Sequence, residues 1–381
     1  MEVYARRQFC ANLEANRPPE TLWNLHLREA TTTIFVIKPK KSKVLKIGTI
    51  ELRNEPLILA PMEDVTDPVF RQLCKDAGAD LVFSEFVSSE ALIRDVEKTK
   101  RKLAIFDKER PVGIQIYGNV VNSMVEAAQI AELSGADMID LNFGCPVKKI
   151  ATRGAGAGLL KNVPLMIQIA EEVVKSVKIP VTAKTRLGWD EDSKNIVEVA
   201  EKLQDAGIKA LTIHGRTRAQ LYTGEADWTL IGAVKNNPKI NIPIIGNGDV
   251  NTPQIAREMF DRYGIDAVMI GRASIGRPWI FREVRHFLDS GELLPPVSIE
   301  EHVNMIRLQL RKTVEMLGER RGILHSRRHL AVTFKGLENF RQTKIQMLRS
   351  ENLEEIEGIL DNLLVHFEQI VIGSKTPQGG V

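Results

Sequence analysis

Three cysteines occur in 381 residues, and one of them, Cys145, stands where a thiol could do chemistry. It lies between Gly144 and Pro146, in a turn entered from the strand-like run Met138 to Leu141. A cysteine held this way is presented at a site mouth, where its thiol can give a proton as a general acid or, as thiolate, attack an electrophile. Cys74 falls on an amphipathic stretch and reads as a small hydrophobe, and Cys10 has no such setting. An odd, sparse set without C-x-x-C spacing argues against a disulfide scaffold or a zinc ribbon and fits a reducing, cytoplasmic location.

Other polar residues gather at the ends of short apolar runs: Pro61 and Met62, Gln115, Asn142, Lys184 and Arg186, His214 and Arg216, Asn247-Gly248-Asp249, and Gly271-Arg272. An inward cation such as Lys184 at a strand end can stabilise negative charge on a bound ring or enolate. The alternative is a structural ion pair. His214 could equally be a satisfied core histidine. The glycine-flanked turns at Asn247, Gly248, Asp249, Gly271 and Arg272 read as a phosphate cup, since glycine lets backbone amides approach an anion closely; otherwise they only close tight turns. Gly154-Ala155-Gly156-Ala157-Gly158 lacks the strand before it and the Lys-Ser or Lys-Thr after it that a phosphate-binding loop needs, so a flexible loop or lid is expected. His325 and His329 have helical spacing but sit among Arg320, Arg321, Arg327 and Arg328, which would repel a metal; no metal site is expected.

The elements that must position these groups follow from periodicity. Eight β-branched or aliphatic runs, Leu57 to Ala60, Asp80 to Phe83, Val112 to Ile116, Met138 to Leu141, Val181 to Ala183, Ala210 to Ile213, Pro243 to Ile245 and Ala267 to Ile270, alternate with segments of helical spacing. Asp67 caps one such helix with Pro68 at its first position, Asn119 to Leu133 forms another, and Ser193 is expected to cap a third ending at Gly207. The corners at 77–80, 134–137 and 205–208 each end a helix on glycine and turn straight into a strand. Strands alternating with helices in units of about 30 residues mean parallel pairing. Eight units predict an α/β fold, a (β/α)8 TIM barrel with its working face at the strand C-termini. The competing open sheet would carry a glycine fingerprint after its first strand, where Ala60-Pro61-Met62-Glu63 stands instead.

Beyond Pro295-Pro296 the pattern turns all-helical: a helix capped by Ser298 and ended by Gly318, then stretches from about His325 to Arg341 and Leu353 to Ile370. The expected organisation is an N-terminal extension of unknown role over 1–45, the barrel over 46–290 and a smaller helical C-terminal domain over 298–372. Residues 298–349 carry 11 bases and 5 acids, whereas 350–381 carry 1 base and 6 acids. That basic stretch is either a footprint for a polyanion or a solvated face balanced by the acidic tail. No apolar run approaches the roughly 18 residues of a membrane span. Asn12, Glu14, Asn16 and Arg17 interrupt any secretory apolar core.

Together, Ala60-Pro61-Met62-Glu63-Asp64-Val65-Thr66-Asp67, Leu141-Asn142-Phe143-Gly144-Cys145-Pro146, Lys184-Thr185-Arg186-Leu187-Gly188, His214-Gly215-Arg216-Thr217 and Asn247-Gly248-Asp249 resemble the tRNA-dihydrouridine synthases, and most nearly their bacterial B subgroup, from about Ile47 to Leu348. The resemblance implies FMN as cofactor, NADPH as electron donor and a uridine in tRNA as substrate, for a cytoplasmic, monomeric enzyme without a membrane partner. It implies that Pro61, Met62 and Glu63 line the flavin, that Gln115 and Lys184 bond its ring, and that the last two strand loops hold its phosphate. Asn142, Arg186 and His214 would orient pyrimidine or flavin. Hydride would pass from flavin N5 to uracil C6, with Cys145 protonating C5 from the opposite face. Arg307, Arg311, Lys312, Arg327, Arg328, Lys335, Arg341 and Lys344 then become candidate phosphate contacts. Two features depart from the family pattern: residues 1–45 have no counterpart, and Glu63-Asp64 replaces a smaller Ala-Gly. A dihydroorotate dehydrogenase-like flavoprotein is the alternative enzyme, and a non-redox tRNA-binding protein the alternative of another class. The first has no need of the basic helices, and intact Cys145, Lys184 and Gln115 weigh against the second.

Overall fold

The structure, a computed structural model, describes residues 44–334 and 340–373, with side-chain surroundings to residue 365. Cys10, the basic segment 38–43, Lys335 and the tail after Gly373 lie outside the described residues.

A hairpin, β1 (Leu45–Ile47) and β2 (Ile50–Leu52), precedes the barrel. The barrel strands are β3 (Leu57–Leu59), β4 (Leu81–Phe83), β6 (Val112–Tyr117), β7 (Met138–Phe143), β8 (Val181–Arg186), β9 (Leu211–His214), β10 (Ile244–Asn247) and β11 (Ala267–Ile270). All eight pair in parallel, and β11 closes on β3, so the ring is complete; the two-residue β5 (Val87–Ser88) only extends β6. Several strands outrun their sequence estimate. The longest extensions are in β7 and β8, which carry Asn142, Lys184 and Arg186 within the sheet.

Side chains alternate across each strand, so parity sorts them into two layers. Leu57, Ile114, Ile139, Ala183 and Ile213 point out and pack under the helices. Ile58, Leu81, Met138, Ala210, Ile245 and Ala267, all near strand starts, fill the lower barrel, and Ile47 and Leu52 of the hairpin close its floor. The same inward parity further along brings up Gln115, Asp140, Asn142, Thr182, Lys184, Arg186, His214 and Asn247. The chain is therefore apolar below and polar above within one ring.

The helices around it include α1 (Pro68–Asp76), α2 (Ser89–Ile93), α3 (Glu97–Lys100), α4 (Val121–Leu133), α5 (Lys148–Ala151), α6 (Val163–Ser176), α7 (Ile196–Asp205), α8 (Thr229–Lys235), α9 (Pro253–Tyr263) and α10 (Ile280–Ser290). Asp67 caps α1 as expected, its Oδ1 accepting from Val69 N at 2.8 Å and Phe70 N at 3.0 Å. Ser193 does not cap α7: its hydroxyl donates to Asp190, closing a local turn that delays the helix to Ile196. The C-terminal region forms α11 (Ile299–Leu317), α12 (Glu319–Leu330), α13 (Phe340–Arg349) and α14 (Leu353–Gly373). Ser298 caps α11, accepting from Glu301 N at 3.1 Å, and the Gly318 end holds. The single helix expected from His325 to Arg341 is instead two, because α12 stops at Leu330 and its chain turns inward, burying Phe334 beside Phe340. These helices share their own core of Val303, Ile306, Leu310, Ile323, Leu330 and Leu360.

Candidate active site

At the strand C-termini opens a cavity of about 630 Å³, within the usual size range of a cofactor or substrate pocket. Pro61, Met62, Glu63, Gln115, Asn142, Cys145, Lys184, Arg186, His214, Asn247, Gly248, Asp249, Gly271 and Arg272 all line it. Thus the strand-end residues singled out by the sequence converge on one space, except Arg216, which stands behind the lining and holds Asp249, while Arg327 and Arg328 lie outside it.

The Cys145 loop is held from three sides. Asn142 Oδ1 accepts from the backbone amides of Gly144 (3.1 Å) and Cys145 (2.9 Å), and Arg186 Nε donates to Gly144 O at 2.8 Å. From behind comes the glycine segment expected to be a flexible loop or lid. It is instead a packed 3₁₀ turn, Gly156–Lys161, with Gly156 to Leu160 buried. Close approach explains its composition. A Cβ on Gly156, at φ +55°, would sit 3.0 Å from Cys145 Cβ, and one on Gly158 would overlap the carbonyl oxygen of Ala151.

Burial raises the Cys145 thiol above its usual range. The Val147 amide, Arg186 and Lys184 pull the other way without cancelling this, so the sulfur stays protonated at neutral pH. Lys184 is drawn down to about 8 by burial and by Arg186, with Asp140 and Cys145 opposing. His214 is held well below its ordinary value by burial and the surrounding cations, and so is neutral. Arg186, lowered to about 10 by burial, remains charged and also donates to the carbonyls of Thr217 (3.0 Å) and Leu221 (2.9 Å).

On the opposite wall, Thr66 clasps Met62: its hydroxyl accepts from Met62 N at 3.0 Å and donates to Met62 O at 3.1 Å. Fully buried Arg71 braces Thr66 O and the Glu109 carboxylate from beneath. Glu63, Asp64 and Glu85 bring carboxylate oxygens within 4.8 Å of one another. Protein cations meet them there: Lys102 Nζ lies 2.5 Å from Glu63 Oε1, and Arg328 pairs with Asp64. At the β10 turn, where the sequence suggested a phosphate cup, the Asp249 carboxylate is occupied by Arg216, by the Ala226 amide and by Arg272 at 3.1 Å. Its part in a cup is therefore to hold Arg272, while Asn247 Nδ2 donates to Met269 O and ties β10 to β11. Tyr222, missed in the sequence because its loop carries no strand signal, lines the cavity with Arg272 4.8 Å above its ring.

This donor set suits a flat, acceptor-rich ring with an anionic tail. The amides of Gln115 and Asn142 and the Lys184 ammonium are donors that can meet such a ring, and Arg272 with the β10 and β11 turns can receive such a tail.

A family model described as "Dihydrouridine synthase (Dus)" matches residues 58–370. The chain belongs to the dihydrouridine synthase family. Among curated relatives of this synthase, the tRNA-dihydrouridine synthase B of Salmonella typhimurium is 42% identical over 322 residues, covering 84% of this chain and 99% of the relative. That of Pseudomonas aeruginosa is 41% identical over 311 residues, covering 82% and 93%. Among solved structures, the synthase shares its fold with histamine dehydrogenase from Rhizobium sp. 4-9, at a TM-score of 0.50 and 14% identity, over 74% of this chain and 50% of that one.

Reading for strand-end chemistry passes over two buried polar residues of the synthase beneath the cavity. Asp140 and Thr182 sit one inward step below Asn142 and Lys184, and a carboxylate in the run Met138-Ile139-Asp140-Leu141 was the signal available. Some of the bases of the C-terminal helices are tied to those helices' own groups. Arg307 pairs with Asp361, Arg311 Nε lies 2.5 Å from Glu357, and half-buried Arg327 donates to Ser350 O at 3.2 Å. Arg328 is exposed and reaches the β3–α1 loop.

Proposed function

We propose that this synthase reduces the C5–C6 bond of uridines in tRNA, with FMN in the barrel mouth, NADPH as electron donor and Cys145 as proton donor. The observation that carries the reading is the Cys145 thiol on the wall of a cavity lined by Lys184, Arg186 and Arg272, in a chain whose curated relatives are named tRNA-dihydrouridine synthases.

Pro61, Met62 and Glu63 would line one face of the cofactor, Gln115, Lys184 and His214 would meet its ring, and Asn247, Gly248, Gly271 and Arg272, held by Asp249, would receive its phosphate. Bound and reduced, FMN supplies the hydride that C6 of the uracil accepts. Asn142 and Arg186 orient the pyrimidine against Cys145. Negative charge gathering over C5, C4 and O4 is discharged when the S–H bond of Cys145 breaks and a C5–H bond forms; the thiolate left behind regains its proton from water. Nearby Arg186 and Lys184 stabilise that transient thiolate, while burial restores the thiol between turnovers. To reach the cavity the uridine must leave its stack, and exposed cations outside the mouth, Arg328 among them, would hold the flanking phosphates. Arg327, committed to Ser350, would act by keeping α12 in place. Among the described residues no helix is long and apolar enough to cross a membrane. Reduced thiols and an RNA substrate support a cytoplasmic enzyme, which we take to work as a monomer.

The test is dihydrouridine formation in unmodified tRNA incubated with protein, FMN and NADPH, measured by nucleoside mass spectrometry. Cys145→Ala should keep the flavin absorbance and lose about 10²-fold or more in rate. Undiminished turnover in that variant would falsify the proton-donor assignment.

A further inference from the structure

Beneath the Cys145 loop runs a buried chain of four side chains, two of which, Asp140 and Thr182, the reaction as written does not use. Thr182 Oγ1 donates to Asp140 Oδ1 at 2.7 Å, and Gln115 Nε2 donates to Asp140 Oδ2 at 2.6 Å. Asn142 Nδ2 donates to Gln115 Oε1 at 2.7 Å, and Asn142 Oδ1 accepts the amides of Gly144 and Cys145. The four side chains come from three neighbouring strands in direct register, Gln115 beside Asp140 and Asp140 beside Thr182. All four are buried.

The chain has a direction. A primary amide can turn over, exchanging its oxygen for its NH₂, so Gln115 and Asn142 could each sit two ways. Both ends forbid one of them. An ionised carboxylate only accepts, so Gln115 must offer NH₂ to Asp140 and oxygen to Asn142. Backbone amides only donate, so Asn142 must offer oxygen to the Cys145 loop and NH₂ to Gln115. The constraints agree, and each amide nitrogen keeps one hydrogen unspent. Gln115 and Asn142 both line the cavity, so what they can offer a bound ring there is a donor, matching the carbonyl-type acceptors of a flavin or a uracil. Lys184, register partner of Asn142, feels the same carboxylate.

The geometry points to Asp140 as a positioning residue of the reaction: its carboxylate sets the polarity of the Gln115–Asn142 amide relay, which fixes the Cys145 loop and turns amide donors toward the cofactor and base. This rests on the proposed function for its consequence in catalysis, but the control of the loop is a property of the protein alone.

The experiment compares Asp140→Leu, which removes the acceptor, Asp140→Asn, which is isosteric but can present NH₂ to Gln115, and Thr182→Val, which leaves Asp140 Oδ2 and the relay in place. The first readout is the rate at which iodoacetamide alkylates Cys145, followed by peptide mapping so that Cys10 and Cys74 do not interfere. It should rise tenfold or more in Asp140→Leu and at least threefold in Asp140→Asn, and stay within twofold of the parent in Thr182→Val. The second is the visible spectrum and midpoint potential of bound FMN, which should move in both Asp140 variants and not in Thr182→Val. Should Asp140→Leu not fold, the comparison of Asp140→Asn with Thr182→Val decides alone. Asp140→Asn behaving as the parent, or Thr182→Val moving as much as Asp140→Asn, overturns the relay. If alkylation responds as expected while the parent protein makes no dihydrouridine, the relay stands and the proposed function fails.

Discussion

Cys145 and Asp140 are both buried acids, and burial serves them in opposite ways. The thiol is wanted protonated, so a poorly solvated site helps it. The carboxylate is wanted ionised, and burial pushes it up to about 6 against the hydrogen bonds of Gln115 and Thr182 and the charge of Lys184. Keeping that charge costs folding energy. Between the ordinary carboxylate value and about 6, the folded chain holds a proton that the unfolded chain has released, so stability falls as pH rises through this window. Asp140→Asn has no such slope. Its advantage in melting temperature over the parent should therefore grow from near nothing at pH 4 to its full size above pH 6, corresponding to at most about 3 kcal/mol. A differential scanning series from pH 4 to 8 measures it; a pH-independent difference would mean the carboxylate is not strained by its burial. A residue whose replacement stabilises the fold while harming the site is one retained for function.

At the level of elements, the 3₁₀ turn behind Cys145 carries the sharpest mechanical demand. Gly158→Ala would drive a methyl into the Ala151 carbonyl and displace the turn whose Gly156 packs against the cysteine. The expected cost is about 1–3 kcal/mol in stability, with a loss of dihydrouridine formation beyond what unfolding explains, measured at a temperature where the variant is fully folded. The barrel strands and the polar ring at their ends were legible in the sequence because parallel strands are short, β-branched and bounded by glycine corners. What was not legible depended on partners distant in sequence. Gly156 and Gly158 look like a flexible loop until Cys145 and Ala151 are placed against them. Ser193 looks like a helix cap until Asp190 competes for its hydroxyl. Asp140 looks like one polar interruption in a strand until Gln115, 25 residues earlier, is set beside it. The β1–β2 hairpin, alternating about Gly48, was passed over because its two three-residue strands gain their meaning only from the barrel floor they cover.

On the scale of the whole molecule, the helical region docks on the loop after β3 and on the start of α1. Asp67 caps α1 with one carboxylate oxygen and accepts from His325 Nε2 at 3.0 Å with the other. Arg328 grips Asp64, and His329 packs against Phe70 with ring centroids 4.5 Å apart. The Asp67 bond raises the His325 pKa, whereas burial lowers His329 and His302 to about 4. The raised group contributes stability that is complete below the ordinary histidine value and is lost as pH rises through its folded value. The lowered pair works the other way, costing stability as pH falls below the ordinary value. His325→Gln should therefore cost stability at pH 6, on the order of 1 kcal/mol as for a partly exposed ion pair, and little at pH 9, read from melting curves of variant and parent, in which the effect of His302 cancels. An equal cost at both pH values would assign the contact to packing. The floor of the barrel has a last consequence. Because Ile47 and Leu52 stopper it from below, that end of the barrel is sealed among the described residues, and the cavity lies at the opposite end, at the strand C-termini.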